Sequence, residues 1–320
     1  MNSAVVVDTL GRLAHAAAHP APADGCPCPP PRVLADRADG TVVRSGPVVA
    51  KAHAPGTGGP EFAARLALAA APALAGVLLP PLPAPSPPPS AHGRPVTLWP
   101  YGEPVDPADP DAAPWEETAV LLARLHRTAP PLPLPPMRGP AKAALAVARM
   151  RTACPGGPGR AAVLAAWSTV PGWARDEEPA PAGPAGSLCH GDLHLGQLVR
   201  RPGPHGPWLL IDIDDTGVGD PAWDLARPAA WYAAGLLPES VWLRFLDAYR
   251  AAGGPAVPGT GDPWPELDVP ARALTVQTAA LALTKAAEQG REPDEVERLM
   301  IGACARIASL PPELGVGSTP

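Results

Sequence analysis

The sequence predicts an α+β protein with two lobes, a small β-rich N-terminal lobe and a larger, mainly helical C-terminal lobe. The segment RVLADRADGTVVRSGPVVAKA (32–52) contains three short runs rich in β-branched residues, separated by Asp-Gly and Ser-Gly pairs that favour tight turns. This pattern predicts a three-stranded meander. In PWEETAVLLARLHRT (114–128) the apolar residues recur at helical spacing, with acids in the first turn and bases in the last, as the helix dipole favours.

The remaining elements follow in order along the chain. Residues 1–31 end in PAPADGCPCPPP and are expected to form a loosely ordered lead-in. The N-lobe, residues 32–102, holds the meander, a helix in EFAARLALAA (61–70) and a strand in PVTLWPYG (95–102). The C-lobe, residues 103–320, ends with helical segments at ALTVQTAALALTKAAEQ and EVERLMIGACARIASL.

Composition narrows the class of protein. With 320 residues, of which 46% are hydrophobic, the chain can bury a large core in spite of its 50 prolines and 32 glycines. A net charge of −6 argues against a binder of nucleic acids or anionic membranes, because phosphate groups require clustered Lys and Arg. We therefore expect a small-molecule partner, while the oligomeric state stays open.

The sequence also carries signals about the compartment. Five cysteines without paired spacing predict free thiols in a reducing environment. The start MNSAVVVDTLGRLAH lacks the basic region and the long apolar run of a signal peptide, and the longest apolar tract, LALAAAPALAGVLLPPLP, is broken by prolines. We expect a cytoplasmic protein without a membrane span.

The stretch LCHGDLHLGQLV (188–199) places His190, Asp192 and His194 in an apolar frame. Two interpretations compete. The two histidines could be half of a metal-hydrolase site, or Asp192 could be the base of a loop that handles phosphate. Packed or hydrogen-bonded histidines are more common than histidine ligands, which favours a structural role for His190.

The residues after this stretch predict a hairpin. QLVRR and WLLIDI are strand-like and flank PGPHG, so a turn centred on Pro204 places Gln197 almost opposite Ile211 and next to Asp212. An amide and a carboxylate brought together in this way suit Mg²⁺, which takes a few protein oxygens and completes its shell with phosphate and water. Phosphoryl transfer also needs a separate acceptor for the hydroxyl proton, and Asp192 precedes Gln197 by five residues, as Asp and Asn are spaced in the protein-kinase loop.

Two motifs resemble those of one family. HGDLHLGQ (190–197) is similar to the H-G-D-x-H-x-x-N loop of the aminoglycoside phosphotransferase family, the small-molecule relatives of protein kinases. LIDIDDTGVGDPAWDLA (210–226) is similar to its I-D-x-x-x-x-x-G-D-P-x-x-D-L-A segment. The resemblance implies a protein-kinase-like fold and the use of ATP and Mg²⁺.

The resemblance also implies roles for single residues. It makes Asp192 the catalytic base, Gln197 and Asp212 the Mg²⁺ ligands, and Asp224 a buried acid that braces the catalytic loop. Gln197 stands where the family usually has Asn, as it does in maltokinase-like members. Independently of any family, Asp220 before a proline has the form of a helix N-cap.

A kinase also needs a lysine on an N-lobe strand and a helix glutamate to hold it. Lys51, one of three lysines in the chain, ends the third strand of the meander, and Glu61 is the only acid between residues 52 and 102. We expect this pair to orient the nucleotide phosphates. The resemblance places Trp99 and Tyr101 in a hinge next to adenine.

The expected function is an ATP- and Mg-dependent phosphotransferase that acts on a hydroxyl of a small molecule. Alternatives are a maltokinase-like sugar kinase and a kinase-fold binding or regulatory protein with impaired catalysis, since the chain lacks the G-x-G-x-x-G loop of kinases. Residues 187–227 hold six aspartates against three arginines, which suits a cationic acceptor such as an aminoglycoside or an amino alcohol. A sugar or another antibiotic hydroxyl stays open. Asp214 and Asp215 are interpreted as solvated loop acids, although Asp214 could also approach the metal.

Overall fold

The chain forms two compact units. The computed structural model describes residues 3–19, 29–37, 39–83, 85, 87–109, 112–179 and 186–310. Unit 1 consists of Met1–Ala112, Pro131–Leu134 and Gly196–Asp214, and unit 2 of Ala113–Pro130, Pro135–Leu195 and Asp215–Pro320. Unit 1 is β-rich and unit 2 is mainly helical, so the predicted α+β class is confirmed. Unit 1 exceeds the predicted N-lobe because it includes an N-terminal helix and the hairpin within residues 196–214.

The main sheet of unit 1 has five antiparallel strands in the order β1-β2-β3-β5-β4. They are β1 (Arg32–Asp36), β2 (Gly40–Ser45), β3 (Val48–His53), β4 (Ser90–Ala91) and β5 (Arg94–Pro100). The predicted meander is confirmed as β1 to β3, and Gly46 turns the chain between β2 and β3 with a φ of 54°. On the central strand β3, Lys51 lies opposite Val42 of β2 and Thr97 of β5.

The N-terminal segment is not a loose lead-in over its described residues. It forms helix α1 (Ser3–Ala18), whose buried residues recur every fourth position and share one face: Val6, Leu10 and Ala14. This face packs on the five-stranded sheet against Val43 and Val48. The prediction for residues 1–31 was wrong here because the apolar stripe is buried against the sheet, while residues 20–28 lie outside the described ranges.

Helix α2 (Gly59–Ala69) follows β3, as predicted. A second sheet of unit 1 joins β6 (Glu103–Pro104), β8 (Leu198–Arg200) and β9 (Trp208–Leu210) in the order β6-β8-β9. The β8–β9 hairpin has the predicted register, since Leu198 lies opposite Leu210 and the N–H of Ile211 donates to the carbonyl of Gln197 at 2.9 Å. The hairpin thus brings Gln197 next to the residues that follow Ile211.

The described part of unit 2 contains seven α-helices: α3 (Trp115–Arg127), α4 (Gly139–Ala153), α5 (Pro158–Thr169), α6 (Ala222–Ala234), α7 (Glu239–Ala251), α8 (Trp264–Gln289) and α9 (Glu295–Ala308). The segments predicted to be helical correspond to α3, α8 and α9. Helix α8 packs against α4, α5, α6 and α9. It is buried along most of its length, so it needs no polar face and forms the centre of the helical core.

A two-stranded sheet of unit 2 frames the histidine-containing loop. β7 (Ser187–Cys189) ends just before that loop and pairs with β10 (Gly217–Gly219). Three cysteines are buried free thiols, as expected: Cys154, Cys189 and Cys304. Cys26 and Cys28 lie outside the described residues. Within the described ranges, no helix combines the length and apolarity that crossing a bilayer requires.

Candidate active site

Lys51 is the centre of a charged group in unit 1. Its Nζ lies 2.6 Å from Asp212 Oδ1 and 2.9 Å from Asp214 Oδ2, and its side chain is only 12% exposed. Burial alone would lower the pKa of Lys51, but the charges of the two carboxylates and their hydrogen bonds outweigh burial and raise it above its ordinary value. The ammonium group therefore keeps its positive charge.

Glu61 does not hold Lys51, contrary to the prediction. It lies in the first turn of α2, where its side chain is 68% exposed and its carboxylate is 3.7 Å from Arg65. The carboxylates that pair with Lys51 belong to a segment 161 residues further along the chain. Among residues 52–102, Glu61 is the only acid, and it was predicted to pair with Lys51 for that reason. The segment after the hairpin strand β9 brings Asp212 and Asp214 into the same unit, and these two acids pair with Lys51 instead.

Gln197 and Asp212 lie together at the end of the β8–β9 hairpin. Gln197 Nε2 is 3.4 Å from Asp212 Oδ2. Asp212 has a φ of 66°, which lies in the left-handed region that aspartate tolerates better than most residues. Residues held in this region cluster at functional sites, because the surrounding structure must maintain the strained backbone.

These two side chains fit Mg²⁺ by the chemistry of their donors. A carboxylate and an amide oxygen are hard ligands, and a nucleotide-bound Mg²⁺ takes only one or two protein carboxylates because phosphate and water oxygens complete its octahedron. The described part of the chain has no group of three or more His, Cys, Asp or Glu side chains arranged for a metal ion. A site that takes its remaining ligands from the nucleotide does not need such a group.

His53 joins this group, although sequence reasoning missed it. The Nδ1 of His53 lies 2.8 Å from Asp214 Oδ1, and its Nε2 lies 2.7 Å from Thr97 Oγ1. Asp214 is therefore an ion-paired residue that is only 25% exposed, and its interpretation as a solvated loop acid was wrong. Burial would raise the pKa of Asp214, but the bond to His53 and the charge of Lys51 hold it well below its usual range. His53 follows Lys51 by two positions on β3, a spacing that puts both side chains on one sheet face.

Asp192, the predicted base, lies in unit 2 between two cations. Its Oδ2 is 2.6 Å from Lys142 Nζ, and its Oδ1 is 2.8 Å from Arg227 Nη2. Burial would raise the pKa of Asp192, but the charges of Lys142 and Arg227 outweigh burial and lower it. Asp192 is therefore a carboxylate that is held through both of its oxygens.

Lys142 joins Asp192 to a second acid. Its Nζ is also 2.7 Å from Asp215 Oδ2, and Arg138 Nη1 lies 3.8 Å from the other oxygen of Asp215. Asp215 is 14% exposed, so its interpretation as a solvated acid was wrong as well. Sequence reasoning missed Lys142 and Arg227. One signal was present, since Lys142 is one of three lysines in a chain that otherwise uses arginine.

Asp224 braces the loop that leads to Asp192. It is fully buried, its Oδ2 accepts the N–H of His190 at 2.6 Å, and its Oδ1 accepts the N–H of Gly191 at 2.8 Å. Gly191 has a φ of 82°, and a Cβ there would lie 2.3 Å from the carbonyl oxygen of Asp215, so only glycine fits. The predicted brace is confirmed, and His190 belongs to it.

Two further residues complete the brace. His126 Nε2 lies 3.0 Å from Asp224 Oδ2, and His126 Nδ1 lies 2.7 Å from the hydroxyl of Tyr249. Burial would raise the pKa of Asp224, but its bond to His126 and the charge of that imidazole lower it. Nearby, Asp220 Oδ1 accepts the N–H of Ala222, the first residue of α6, at 2.9 Å, whereas the N-cap position is occupied by Pro221 and not by Asp220 as predicted.

His194 is uncharged near neutral pH. Burial, followed by the charge of Arg227, lowers its pKa to about 4. It borders a cavity of unit 2 together with Leu193, Leu195 and Arg227. His194 therefore adds no positive charge to the surroundings of Asp192.

Trp99 and Tyr101 lie at the end of β5 in unit 1. Trp99 is 8% exposed, and its Nε1 donates to Thr97 Oγ1 at 2.7 Å. The guanidinium of Arg44 lies 3.3 Å from the centre of the Tyr101 ring. The backbone N–H of Tyr101 donates to the carbonyl of Pro47 at 2.8 Å. Both side chains are packed within unit 1, and their place beside adenine stays a prediction.

Comparison with known proteins bears on the fold and the family. A family model described as the phosphotransferase enzyme family, APH, matches residues 32–267. Spectinomycin phosphotransferase APH(9)-Ia, solved with ADP and spectinomycin, is 12% identical with a TM-score of 0.57, over 88% of this chain and 92% of that chain.

Two further solved structures are similar. A thermostable mutant of aminoglycoside phosphotransferase APH(4)-Ia, solved with AMP-PNP and hygromycin B, is 12% identical with a TM-score of 0.56, over 88% of this chain and 94% of that chain. Choline kinase from Cryptosporidium parvum Iowa II is 10% identical with a TM-score of 0.54, over 89% of both chains. No curated protein matches the sequence. The similar structures confirm the predicted protein-kinase-like fold.

Proposed function

Since this chain belongs to the phosphotransferase enzyme family, we propose that it transfers the γ-phosphate of ATP to a hydroxyl group of a small molecule. The reaction depends on Mg²⁺ and takes place in the cytoplasm. The observation that carries the proposal is the group formed by Lys51, Asp212 and Gln197. Asp212 lies 2.6 Å from the charged Nζ of Lys51 and 3.4 Å from the amide of Gln197, and Lys51 is far from both residues in the sequence. Two structurally similar kinases were solved with ADP and with AMP-PNP, which supports a nucleotide as donor.

The residues of unit 1 are assigned to the nucleotide. Lys51 binds its phosphates, and Asp212 with Gln197 holds Mg²⁺, which neutralises phosphate charge when bound. Asp214 and His53 keep Lys51 in place, the role first assigned to Glu61. Trp99 and Tyr101 are assigned to the adenine side.

Asp192 is assigned to the acceptor hydroxyl. Its carboxylate orients the hydroxyl and takes the proton late, since a loose phosphoryl transition state requires mainly positioning and charge stabilisation. Phosphate passes directly to the acceptor oxygen, and no phosphoenzyme forms. Lys142 and Arg227 fix the carboxylate, and Asp224 holds the backbone of the loop that carries it.

The proposal is tested with a coupled assay of ADP release. Aminoglycosides, sugars, amino alcohols and macrolides are screened as acceptors with Mg-ATP. With any acceptor found, Asp192→Asn should lower kcat by about 10²- to 10⁴-fold, the usual contribution of a general base. Binding of Mg-AMP-PNP should be retained, because Asp192 is not assigned to the nucleotide.

Asp247→Asn is the matched control, since Asp247 is an exposed acid on α7 of the same unit. It should leave the rate unchanged. Full activity of Asp192→Asn would contradict the mechanism. Tight Mg-nucleotide binding without turnover of any hydroxyl compound or of water would favour the alternative, a kinase-fold binding protein with impaired catalysis.

A further inference from the structure

Every aspartate in residues 187–227, the acidic segment that contains both motifs, has a partner inside the protein. The six aspartates of residues 187–227 and their partners are Asp192 with Lys142 and Arg227, Asp212 with Lys51, Asp214 with Lys51 and His53, Asp215 with Lys142, Asp220 with the N–H of Ala222, and Asp224 with His126 and two backbone N–H groups. The excess of aspartate over arginine in the sequence therefore does not describe the charge that an acceptor meets.

The charge near Asp192 is balanced or slightly positive. In unit 2, two carboxylates, Asp192 and Asp215, face three cations, Lys142, Arg227 and Arg138. Lys142 is 25% exposed and Arg138 is 50% exposed, so both cations can still act on a bound molecule. His194 is neutral, as shown above.

A cavity of unit 2 is lined by the three residues that follow Asp192 in the sequence, and its lining contains no Asp or Glu side chain. Its walls include Trp115, Trp231, Leu193 and Leu195, and Arg227 is the one lining residue among the described residues that carries a charge. A cationic group placed there would meet Arg227, and no carboxylate is among the residues that line the cavity. Like charges brought together are destabilising, and specificity often arises from such a repulsion.

We propose that the acceptor carries no positive charge next to the hydroxyl that is phosphorylated, and that Lys142, Arg227 and Arg138 exclude cationic acceptors. This inference rests on the proposed function and reverses the preference for a cation that the sequence suggested. The class it selects is a neutral polyhydroxyl compound or alcohol.

The test compares acceptors that differ only in charge. Glucose is paired with glucosamine, and 3,3-dimethylbutanol with choline, and kanamycin is added as a polycation. In the ADP-release assay, the neutral member of each reacting pair should have a kcat/KM at least tenfold above that of its cationic partner. A higher kcat/KM for glucosamine, choline or kanamycin would overturn the inference.

If no member is phosphorylated, the same compounds are measured as inhibitors of the slow ATP hydrolysis by water. Weaker inhibition by the cation than by its neutral partner supports the inference, and equal or stronger inhibition by the cation overturns it. The proposed function fails separately, when ATP hydrolysis and phosphorylation are both absent or do not depend on Asp192.

Reversing the charge of Arg138 tests whether this arginine contributes to the exclusion of cationic acceptors. Arg138→Glu should reduce the neutral-to-cation ratio of kcat/KM by roughly fivefold, as expected for two charge units acting over several ångströms in a largely aqueous setting. Arg151→Glu is the control, since Arg151 is an exposed arginine in the last turn of α4, the helix whose N-cap residue is Arg138. Equal effects of both variants, or no effect of Arg138→Glu, would contradict the assignment.

Discussion

At the scale of single residues, the candidate base is defined by its two cations. Asp192 contacts Lys142 through one carboxylate oxygen and Arg227 through the other, and both contacts stabilise the ionised form. A carboxylate with a lowered pKa stays ionised to lower pH. The pH range in which Asp192 can accept a proton is therefore set by residues that lie outside the recognised motifs.

Lys142→Met should shift the acid limb of the pH profile. The pKa of Asp192 is lowered in the folded protein, so removal of Lys142 raises it and moves the acid limb of kcat/KM to higher pH. Arg227 remains, and Asp215 loses its main cation, which adds to the upward shift. The profile is measured from pH 3 to 9 with Mg-ATP, because the acid limb of a carboxylate with a lowered pKa lies at low pH.

Lys285→Met provides the control, because Lys285 is an exposed lysine on α8. It should leave the profile in place. An unchanged acid limb in Lys142→Met would show that Lys142 does not control the ionisation of Asp192. Loss of activity at all pH values, with recovery in Lys142→Arg, would indicate that the charge of Lys142 mainly positions the carboxylate.

At the scale of elements, the hairpin was predictable from the sequence and the N-terminal helix was not. The β8–β9 hairpin fixes the spacing of Gln197 and Asp212 by strand pairing alone, so its register could be read from the turn and the flanking strands. Helix α1 gave a weaker signal, because Ala-rich and Val-rich segments occur in both helices and strands. Its identity as part of the core follows only from the sheet that it covers.

Leu10→Ala should destabilise the protein by about 2–5 kcal/mol, the usual cost of a Leu→Ala change in a packed core. Leu10 is fully buried on α1 within the core of unit 1. Val5→Ala on the exposed side of the same helix should change stability by less than about 0.5 kcal/mol, since Val5 is 43% exposed. Urea denaturation gives both values. Similar midpoints for the two variants would mean that α1 is not part of the folded core.

At the scale of the whole molecule, the proposed nucleotide binding predicts a change in folding stability. A ligand that binds only the folded chain stabilises it by about 2.7 kcal/mol at 100 times its Kd. Mg-AMP-PNP should therefore raise the Tm of the wild-type chain, and Asp212→Ala should lose most of this increase because a proposed Mg²⁺ ligand is gone. Asp247→Ala should retain it.

Repeating the Tm measurement with EDTA gives the part of the increase in Tm that depends on Mg²⁺. The increase in Tm should fall in the wild-type chain when Mg²⁺ is removed, and it should change little in Asp212→Ala. An equal Mg²⁺-dependent increase in both proteins would show that Asp212 does not bind the metal.

Local patterns determined much of this protein from the sequence alone. Turn residues and alternating strands gave the meander and the hairpin register, and helical spacing gave α3, α8 and α9. The family resemblance singled out Asp192, Gln197, Asp212 and Asp224, and the structure places Gln197 next to Asp212 and Asp224 under the loop of Asp192. These features depend on residues close together in the chain, where backbone geometry restricts the possible arrangements.

The choice of charge partners was decided only by the tertiary structure. Lys51 pairs with Asp212 and Asp214 and not with Glu61, and Lys142 and Arg227 take both oxygens of Asp192. An ion pair depends on distance and burial, and these contacts join segments that lie far apart in the sequence. Sequence composition therefore suggested an acidic site, whereas the fold gives each of those acids a partner within the protein.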